Sequence, residues 1–451
     1  MPVTDGRDVN RALDLPDSAC QLSDRASTGR LKWAIALAIA LSAGAALRLV
    51  WANDMEYKLD EIWTFEHVQQ AIQTGSLPGV GMPSSVERDN PGMSLWVFVA
   101  LGWLCDARDP VELVRTVQVL NVLALLLQVV LTSWFVPAGE REPWYWSAAL
   151  LAVNPLAVLF HRKIWPPSVL PAFIMIMLMC WFRRERRGAA FGWGLIGAVL
   201  GQIHMGGFIF AAAFALWTRL FGRQRVAWRY WFVGGALGAL PLLPWLEHLV
   251  RTHGQGPALP LKWSHLVEFK FWIRWCLEPF GLGIDYALGK DAVDFLSKPH
   301  WHGHPTWLVA ALHLAVVSAA VCIVGGAVRR AGARGASPTG TFSDPASTQL
   351  AQNAVLWGYG LLLTFCLLPI HRHYNVIAQP FEMLWLARLA LGDRGDSALR
   401  NRRRTVLAGL CVLQLAISGS FLAYVHTKQS IRGDYGTVYQ AQQRSALDQR
   451  R

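Results

Sequence analysis

The chain alternates long apolar runs with shorter polar stretches, and this pattern predicts a protein built from membrane-spanning helices. A helix needs roughly 20 mostly apolar residues to cross a bilayer, and somewhat shorter runs cross when neighbouring helices cover them. On this basis the pattern predicts about 11 transmembrane helices. They lie at residues 33–52, 113–136, 144–160, 166–182, 190–203, 206–221, 230–246, 306–328, 353–370, 375–391 and 405–425. The predicted fold class is an all-α integral membrane protein.

One further apolar run, at 92–105, is too short to cross, and the basic residues indicate where it lies. Lys and Arg collect in the cytoplasmic loops of membrane proteins. If this run stays on one side and the N-terminus is cytoplasmic, every basic cluster faces the cytoplasm. These clusters are at 183–187, 219–229, 329–330 and 400–404. We therefore predict a large first external loop at 53–112, with helices that lie at the membrane interface.

The same topology divides the rest of the chain. Residues 1–32 are polar, and we expect a disordered cytoplasmic tail there. A signal peptide is the alternative, but the long polar lead and the length of the first apolar run favour an uncleaved span. The transmembrane domain then covers 33–426, and it contains a second external loop at 247–305 and a flexible cytoplasmic linker at 331–352. Residues 427–451 are predicted to form an external polar tail with a turn at 433–436.

Composition supports a membrane protein and changes how the charge is interpreted. Hydrophobic residues make up 53% of the 451 positions and charged residues 16%, against about 25% charged residues in soluble proteins. The net charge of +12 follows from the cytoplasmic clusters, so we predict membrane lipids as partners and no nucleic acid. A composition rich in Ala, Gly and Arg suggests a bacterium. The predicted location is therefore the cell (inner) membrane, with the external side periplasmic.

Carboxylates are concentrated directly after the first span. The five are Asp54, Glu56, Asp60, Glu61 and Glu66. Acids near lipid are costly unless they face water, a partner or a substrate. Neighbouring residues on a helix point about 100° apart, so one acid of the Asp60–Glu61 pair can face a cavity while the other pairs with a cation or caps the helix. An Asp in a partly desolvated pocket can act as a general base. Solvated acids at the start of an amphipathic helix are the alternative.

Hydrogen-bond donors and cations gather at the predicted external ends of other spans. The candidates for binding an anion are Arg88, Arg162, Lys163, His204, His371, Arg372 and Tyr374. Two cations at 162–163 run against the positive-inside bias, so they need a phosphate or carboxylate partner unless they reach lipid headgroups. The alternating histidines at 300–304 could bind zinc, but no acid or Cys stands beside them. We predict an interfacial loop there, with no metal and no cofactor.

Several sequence motifs follow one another in a definite order along the chain. Leu-Asp-Glu-Ile-Trp-Thr-Phe follows the first span, and Asp-Asn-Pro-Gly-Met-Ser-Leu-Trp leads into the short interfacial helix. Asn-Pro-Leu-Ala-Val-Leu-Phe-His-Arg-Lys ends the third span, Gln-Ile-His-Met-Gly follows the fifth, and Arg-His-Tyr occurs late. In this order the motifs resemble the GT-C fold of lipid-phosphate-dependent glycosyltransferases. The resemblance covers most of residues 33–392, and it is to protein O-mannosyltransferases, to the aminoarabinose transferases that act on lipid A, and to rhizobial lipopolysaccharide galacturonosyltransferases.

The resemblance implies a membrane enzyme that moves a sugar from a polyprenyl-phosphate donor to an acceptor hydroxyl on a glycan, lipid or protein. Transfer would take place on the external face, with inversion at the sugar and without a metal. In the family pattern, Asp60 matches the catalytic acid that takes or orients the acceptor proton, and Glu61 matches its neighbour. The positions that match contacts to the donor phosphate are Arg162, His204, Arg372 and Tyr374.

Two positions depart from the family pattern, and two other functions stay open. Asn90 stands where the family often has His or Lys before a Pro-Pro pair, so a phosphate contact could have moved to Arg88. His204 stands where the family often has Lys, and His is neutral near pH 7 unless its pKa is raised. A transporter or flippase of a lipid-linked sugar would use the same cations, and an inactive enzyme-like membrane protein is the third interpretation.

Overall fold

The computed structural model describes residues 17–83, 89–252, 267–333, 347–367, 369–392 and 397–449, and these are almost entirely helical. The first half contains α1 Asp17–Leu49, α2 Leu59–Thr74, α3 Met93–Leu104, α4 Pro110–Trp134, α5 Arg141–Val153, α6 Pro155–Phe160, α7 Pro166–Phe182, α8 Arg187–Ile203, α9 Gly206–Phe221, α10 Trp228–Ala239 and α11 Leu243–Arg251. The second half contains α12 Lys270–Leu277, α13 Asp285–Leu288, α14 Ala292–Leu296, α15 Leu308–Ala333, α16 Ser347–Asn353, α17 Gly360–Thr364, α18 Gln379–Leu391, α19 Ser397–Lys428 and α20 Tyr439–Asp448.

Short elements connect these helices. A π-helical segment, Ala354–Tyr359, joins α16 to α17. Turns of 3₁₀-helix lie at Ala52–Asp54, Ala138–Glu140, Leu240–Leu242, Glu278–Phe280, Gly289–Asp291 and Arg372–Ile377. Three antiparallel two-stranded hairpins complete the described chain, formed by β1 Val80–Pro83 with β2 Asp89–Pro91, β3 His300–Trp301 with β4 His304–Pro305, and β5 Ser430–Ile431 with β6 Gly436–Thr437. The β5–β6 turn confirms the turn predicted at 433–436.

Five helical stretches in the described residues are long and apolar enough to cross a membrane. They are Lys32–Leu49, Pro110–Trp134, Trp228–Arg251, Leu308–Gly332 and Ala398–Lys428. The chain is therefore a membrane protein. The other predicted spans correspond to shorter helices. Helices of 17 residues such as α7 and α8 measure about 26 Å, so their length alone does not establish the predicted number of about 11 spans.

The predicted span at 144–160 is broken into two helices, and the break shapes the site. Asn154 leaves the helical conformation and Pro155 starts the next helix. The Asn154 side chain accepts hydrogen bonds from the backbone N–H groups of Leu156 and Ala157, both at 3.1 Å. Asn is a strong N-cap residue and Pro is favoured at the first helical position. The short α6 that results is followed directly by the sequence His-Arg-Lys.

The first predicted external loop folds onto the helices rather than standing apart. The short helix α3 has 12 residues, about 18 Å, and it packs between α2, α4 and α8. Gly102 allows α2 to lie close, because a Cβ at this position would be 3.1 Å from Val68 Cγ1. Leu95 and Phe98 are buried in this contact. Helix α2, which starts beside the acidic pair, is thereby held against the main core.

Three segments that the sequence predicts to be irregular contain helix in the structure. Helix α1 begins at Asp17, inside the predicted tail at 1–32, and residues 1–16 lie outside the described part. Helix α16 begins at Ser347, inside the predicted linker, whose residues 334–346 also lie outside it. The predicted polar tail is folded from 427 to 449, and we refer to these residues as the C-terminal segment.

The C-terminal segment joins the two predicted external loops. The Tyr435 hydroxyl donates a hydrogen bond to the Asp54 carbonyl oxygen at 2.5 Å, and the Tyr439 N–H donates to the Met55 carbonyl at 3.1 Å. The Arg432 guanidinium pairs with Asp291 of the second loop at 2.7 Å. The segment therefore fixes the position of the chain just before the acidic pair.

Candidate functional site

A cavity of about 390 Å³ lies where the two loops, the α6–α7 connection and the chain before α18 meet. Its walls carry both signs of charge and several aromatic rings. It is lined by Glu56, Lys58, Leu59, Asp60, Glu61, Phe160, Lys163, Trp165, Tyr286, His371, Arg372, His373 and Asp434. Five residues predicted from the sequence therefore share one cavity, namely Asp60, Glu61, Lys163, His371 and Arg372.

The acidic pair stands at the start of α2, and its two members are held differently. Glu61 is buried, and one of its carboxylate oxygens accepts the backbone N–H of Lys58 at 3.3 Å. This bond satisfies a donor that the first turn of a helix leaves free. Asp60 is only half-buried and belongs to the cavity wall. The structure thus separates one capping acid from one acid that a ligand can reach.

The surroundings raise the pKa of both acids. Burial, followed by the charge of Glu56, raises the pKa of Glu61 to about 8 although Lys163 opposes the rise. Glu61 is therefore mostly protonated at neutral pH. Burial also raises the pKa of Asp60, and the charges of Lys58 and Lys163 act in the opposite direction. Because its pKa is raised, the Asp60 carboxylate is a stronger base than a carboxylate that is fully solvated.

A buried ion pair supports the floor of the cavity. The Lys163 ammonium pairs with Glu56, and the side chains of both residues are almost fully buried. The other Glu56 oxygen lies 2.7 Å from the Lys58 ammonium, which also reaches Asp434 of the C-terminal segment at 3.3 Å. Burial tends to lower the pKa of Lys163, but Glu56 and Glu61 outweigh it, so the pKa is raised and the ammonium keeps its charge.

Replacing Lys163 by Met is expected to destabilise the protein, because it leaves Glu56 buried with only Lys58 as its partner. Removing one member of a buried ion pair costs about 3 kcal/mol or more. The measurement is thermal inactivation in detergent, compared with Lys270→Met, whose side chain is half-exposed where its ammonium pairs with Glu268. A double change, Glu56→Gln with Lys163→Met, should recover part of the loss. Equal inactivation of Lys163→Met and Lys270→Met would contradict the prediction.

Arg372 forms the opposite wall, and three contacts fix its guanidinium. Its Nη1 donates to the Gly283 carbonyl at 3.0 Å and lies 3.2 Å from a Glu278 carboxylate oxygen. The guanidinium also lies 4.4 Å from the centre of the Tyr286 ring. Burial raises the pKa of Glu278 to about 7 in spite of Arg372 and Arg274. Near neutral pH, Glu278 therefore neutralises the charge of Arg372 only in part.

His204 and Tyr374 lie behind this wall and do not line the cavity. The ring of His373 does line it, and the centre of this ring lies 5.0 Å from that of His204 and 4.9 Å from that of Tyr374. The Gly206 N–H donates to His204 Nδ1 at 3.2 Å, and burial lowers the pKa of His204 to about 4. Burial also lowers the pKa of His371 at the rim and of His373. The positive charge of the cavity therefore comes from Lys and Arg.

Arg162 has a structural role. It is buried, and its guanidinium donates to four carbonyls at the end of α1 and just after it, at 2.7–3.0 Å. Carbonyls at a helix C-terminus lack partners within the helix, so a cation there satisfies them. Arg162 therefore ties α1 to the α6–α7 connection, while its neighbour Lys163 reaches the cavity. Arg88 lies outside the described residues.

The remaining sequence motifs also lie outside the cavity. The Asn90 side chain donates to the Met82 carbonyl at 2.7 Å within the β1–β2 hairpin. The histidines of the β3–β4 hairpin are exposed. Within the described ranges, no group of three or more His, Cys, Asp or Glu side chains could hold a metal ion.

A smaller cavity of about 140 Å³ adjoins the first and shares Arg372 with it. Its wall is formed mainly by α12, which contributes Lys270 and Arg274 next to Ile273 and Leu277. Ile273 and Leu277 are exposed on α12, and Phe269 is exposed just before it, so an apolar stripe continues from this cavity at the i, i+4 spacing of one helix face.

Eight residues that line the larger cavity are not singled out as site residues by the sequence. Four of them carry a charge or a phenol, namely Glu56, Lys58, Tyr286 and Asp434. Glu56 and Lys58 stand in the acidic stretch, so their proximity to Asp60 is a usable signal. The sequence places Asp434 only in a turn, and it reaches the cavity because the C-terminal segment folds back over the first loop. No pattern in the sequence distinguishes Tyr286 from other aromatic residues of the second loop.

Comparisons with known proteins give little further information. No protein-family model matches the chain, and no curated protein is similar to it. Among solved structures, the chain is similar to the apo form of the Archaeoglobus fulgidus oligosaccharyltransferase, with 14% sequence identity and a TM-score of 0.44. The similarity covers 86% of this chain and 56% of that one, so the chain spans little more than half the length of that structure.

Proposed function

We propose that this protein is a membrane glycosyltransferase that moves a sugar from a polyprenyl-phosphate donor to an acceptor hydroxyl, with the reaction on the external face. One observation carries the proposal: a single cavity joins a reachable carboxylate, Asp60, to the fixed cations Lys163 and Arg372. The acceptor is a glycan, a lipid or a protein. The enzyme needs no metal in this proposal, because side chains supply both the base and the positive charge.

In this proposal Asp60 is the general base. As the acceptor oxygen attacks the anomeric carbon, its proton passes to Asp60 and the new C–O bond forms. A positioned base contributes about 10²–10⁴-fold to a rate, and it works best when its pKa lies nearer the working pH. The raised pKa of Asp60 agrees with this role. Glu61, mostly neutral beside it, adds little repulsion to an incoming anion.

Arg372 and Lys163 stabilise the leaving group. The bond between the anomeric carbon and the phosphate oxygen breaks, and the electron pair leaves with the polyprenyl phosphate. Fixed cations aimed at developing negative charge lower the barrier because they need no reorganisation. The carbonyl of Gly283 and the ring of Tyr286 hold the Arg372 guanidinium in place before a substrate arrives. Attack from the side opposite the phosphate inverts the anomeric centre.

The second cavity gives the lipid part of the donor a path. Lys270 and Arg274 attract an anionic headgroup, and the stripe formed by Phe269, Ile273 and Leu277 offers an apolar surface to a prenyl chain. Because Arg372 belongs to both cavities, a phosphate at Arg372 could have its sugar in the larger cavity and its chain over α12. An amphiphilic donor suits this arrangement better than a nucleotide sugar does.

The test is a transfer assay on purified protein in nanodiscs, with a panel of polyprenyl-phosphate sugars and a crude envelope extract as acceptor. Sugar transfer by the wild type, together with its loss in Asp60→Asn, would support the proposal and identify the donor sugar. Binding of polyprenyl phosphate without transfer of any sugar would instead favour a transporter or an inactive protein. In that case, movement of a lipid-linked sugar across liposomes that is unaffected by Asp60→Asn would identify the transporter.

We expect kcat/KM of the wild-type protein to decline above pH about 8. Changing Glu61 to Gln is expected to leave kcat/KM near the wild-type value at pH 6–7 and to remove this decline. The pKa of Glu61 is raised to about 8, so below that pH the wild-type side chain is neutral and Gln resembles it. As the pH rises through this pKa, Glu61 becomes charged beside Asp60 and repels an anionic donor. The measurement is kcat/KM from pH 6 to 9.5. A decline above pH 8 that persists in Glu61→Gln would contradict the assignment.

A further inference from the structure

Tyr286 is the phenol that lines the larger cavity, and its ring is firmly held. It lies on the first turn of α13, between the Arg372 guanidinium at 4.4 Å and the Phe160 ring, whose centre is 6.3 Å away at an interplanar angle of 17°. Its backbone carbonyl accepts the N–H of Asp434 at 3.5 Å. These contacts fix the ring and therefore the direction of the hydroxyl.

The Tyr286 hydroxyl is buried and has no hydrogen-bond partner among the described residues. Three other tyrosines differ in this respect. The Tyr359 hydroxyl donates to the Tyr374 carbonyl at 3.0 Å, Tyr424 donates to Asp294 at 2.6 Å, and Tyr435 donates to the Asp54 carbonyl at 2.5 Å. Buried hydroxyls are normally paired because an unpaired one costs free energy. An unpaired hydroxyl on a residue that lines a cavity is therefore a group that a ligand can satisfy.

The charges around this hydroxyl indicate what kind of atom it meets. Burial, then the charges of Glu56 and Asp434, raise the pKa of Tyr286 well above its usual value, so the phenol keeps its proton and can donate. The Arg372 guanidinium lies against the same ring. A proton donor and a fixed cation together suit an anionic oxygen, and hydrogen bonds to charged acceptors are the stronger ones.

We propose that the Tyr286 hydroxyl donates a hydrogen bond to a phosphate oxygen of the lipid-linked donor, beside Arg372. This inference rests on the proposed function and deepens it. It also transfers to Tyr286 the phenol contact that the family resemblance placed at Tyr374, whose ring lies behind His373. Tyr286 acts as a positioning residue for the leaving group and takes no proton from the acceptor.

The experiment compares Tyr286→Phe with the wild type in nanodiscs, using polyprenyl phosphate and the uncharged polyprenol of the same chain length as probes. Phe keeps the ring contacts with Arg372 and Phe160 and removes only the hydroxyl. We expect the Kd for polyprenyl phosphate to rise about 10- to 100-fold and the Kd for polyprenol to stay unchanged. The control is Tyr439→Phe, whose ring packs on Tyr57 outside the cavity.

Each other outcome overturns the inference in a recognisable way. If the wild type binds polyprenyl phosphate and Tyr286→Phe binds it equally well, the hydroxyl does not contact the phosphate, while the proposed function stands. Equal weakening for both probes means that the hydroxyl has only a structural role. A rise in KM for the acceptor alone places the contact on the acceptor. If the wild type does not bind polyprenyl phosphate, the proposed function and this inference fail together.

Discussion

Replacing Asp60 by Asn is expected to lower kcat for sugar transfer about 10³-fold, because it removes the general base of the proposed reaction. Asn has nearly the same shape as Asp, so the wall of the cavity should keep its form. It cannot accept the acceptor proton, and the oxygen would have to attack without a base. Binding of the polyprenyl-phosphate donor should be preserved or slightly tighter, because a negative charge leaves a cavity that binds an anion.

A matched control exists on the same helix. Glu66 is an exposed acid on α2 outside the cavity, and Glu66→Gln should transfer sugar at the wild-type rate. The measurement is single-turnover transfer together with donor binding for both variants. If Asp60→Asn retained more than about a tenth of the wild-type kcat, base catalysis of the size expected for a positioned carboxylate would be excluded at this position.

Replacing Arg372 by Lys is expected to lower kcat about 10²- to 10³-fold although the positive charge is kept. The planar guanidinium meets the Gly283 carbonyl, the Glu278 carboxylate and the Tyr286 ring at the same time. A Lys ammonium is a flexible point charge that cannot make all three contacts. The cation would therefore no longer be held in a fixed position beside the leaving phosphate. In the proposed reaction it is this fixed position that lowers the barrier.

The comparison for this variant is Arg432→Lys. The exposed Arg432 pairs with the buried Asp291 and does not line either cavity. Transfer and polyprenyl-phosphate binding would be measured for both variants at the same pH. If Arg372→Lys kept the wild-type kcat and Kd, a positive charge alone would be enough to stabilise the leaving phosphate. The proposed role of the fixed guanidinium geometry would then be disproved.

Much of the site is visible in local sequence, because acids and cations next to apolar runs stand out from their surroundings. The pair Asp60–Glu61 follows the first span directly, and Lys163 and Arg372 stand at the ends of other apolar runs. The sequence also predicts that one acid of the pair faces the cavity and that the other pairs with a cation or caps the helix, since neighbours on a helix cannot share a face. The structure assigns the capping to Glu61.

Local pattern could not separate Arg162 from Lys163. Both are cations in the same turn, and the sequence predicts the same role for both, which is to bind an anion. The tertiary fold places the end of α1 beside Arg162, and the Arg162 guanidinium donates hydrogen bonds to four carbonyls there. The Lys163 ammonium instead forms an ion pair with Glu56. Local pattern also fails for His204. Its ring centre lies 5.0 Å from that of His373, and burial lowers its pKa to about 4, so it carries no charge near neutral pH.

The sequence by itself determined the membrane character, the helical class and the side chains able to do acid–base and phosphate chemistry, because apolar periodicity and charge placement act over a few turns of one helix. The tertiary structure decided which of these side chains meet. Asp434 reaches Lys58 across 376 positions of the chain, and Tyr286 reaches Arg372 from a separate loop. Contacts of this kind depend on how loops close and pack, and loop closure leaves no periodic mark in the sequence.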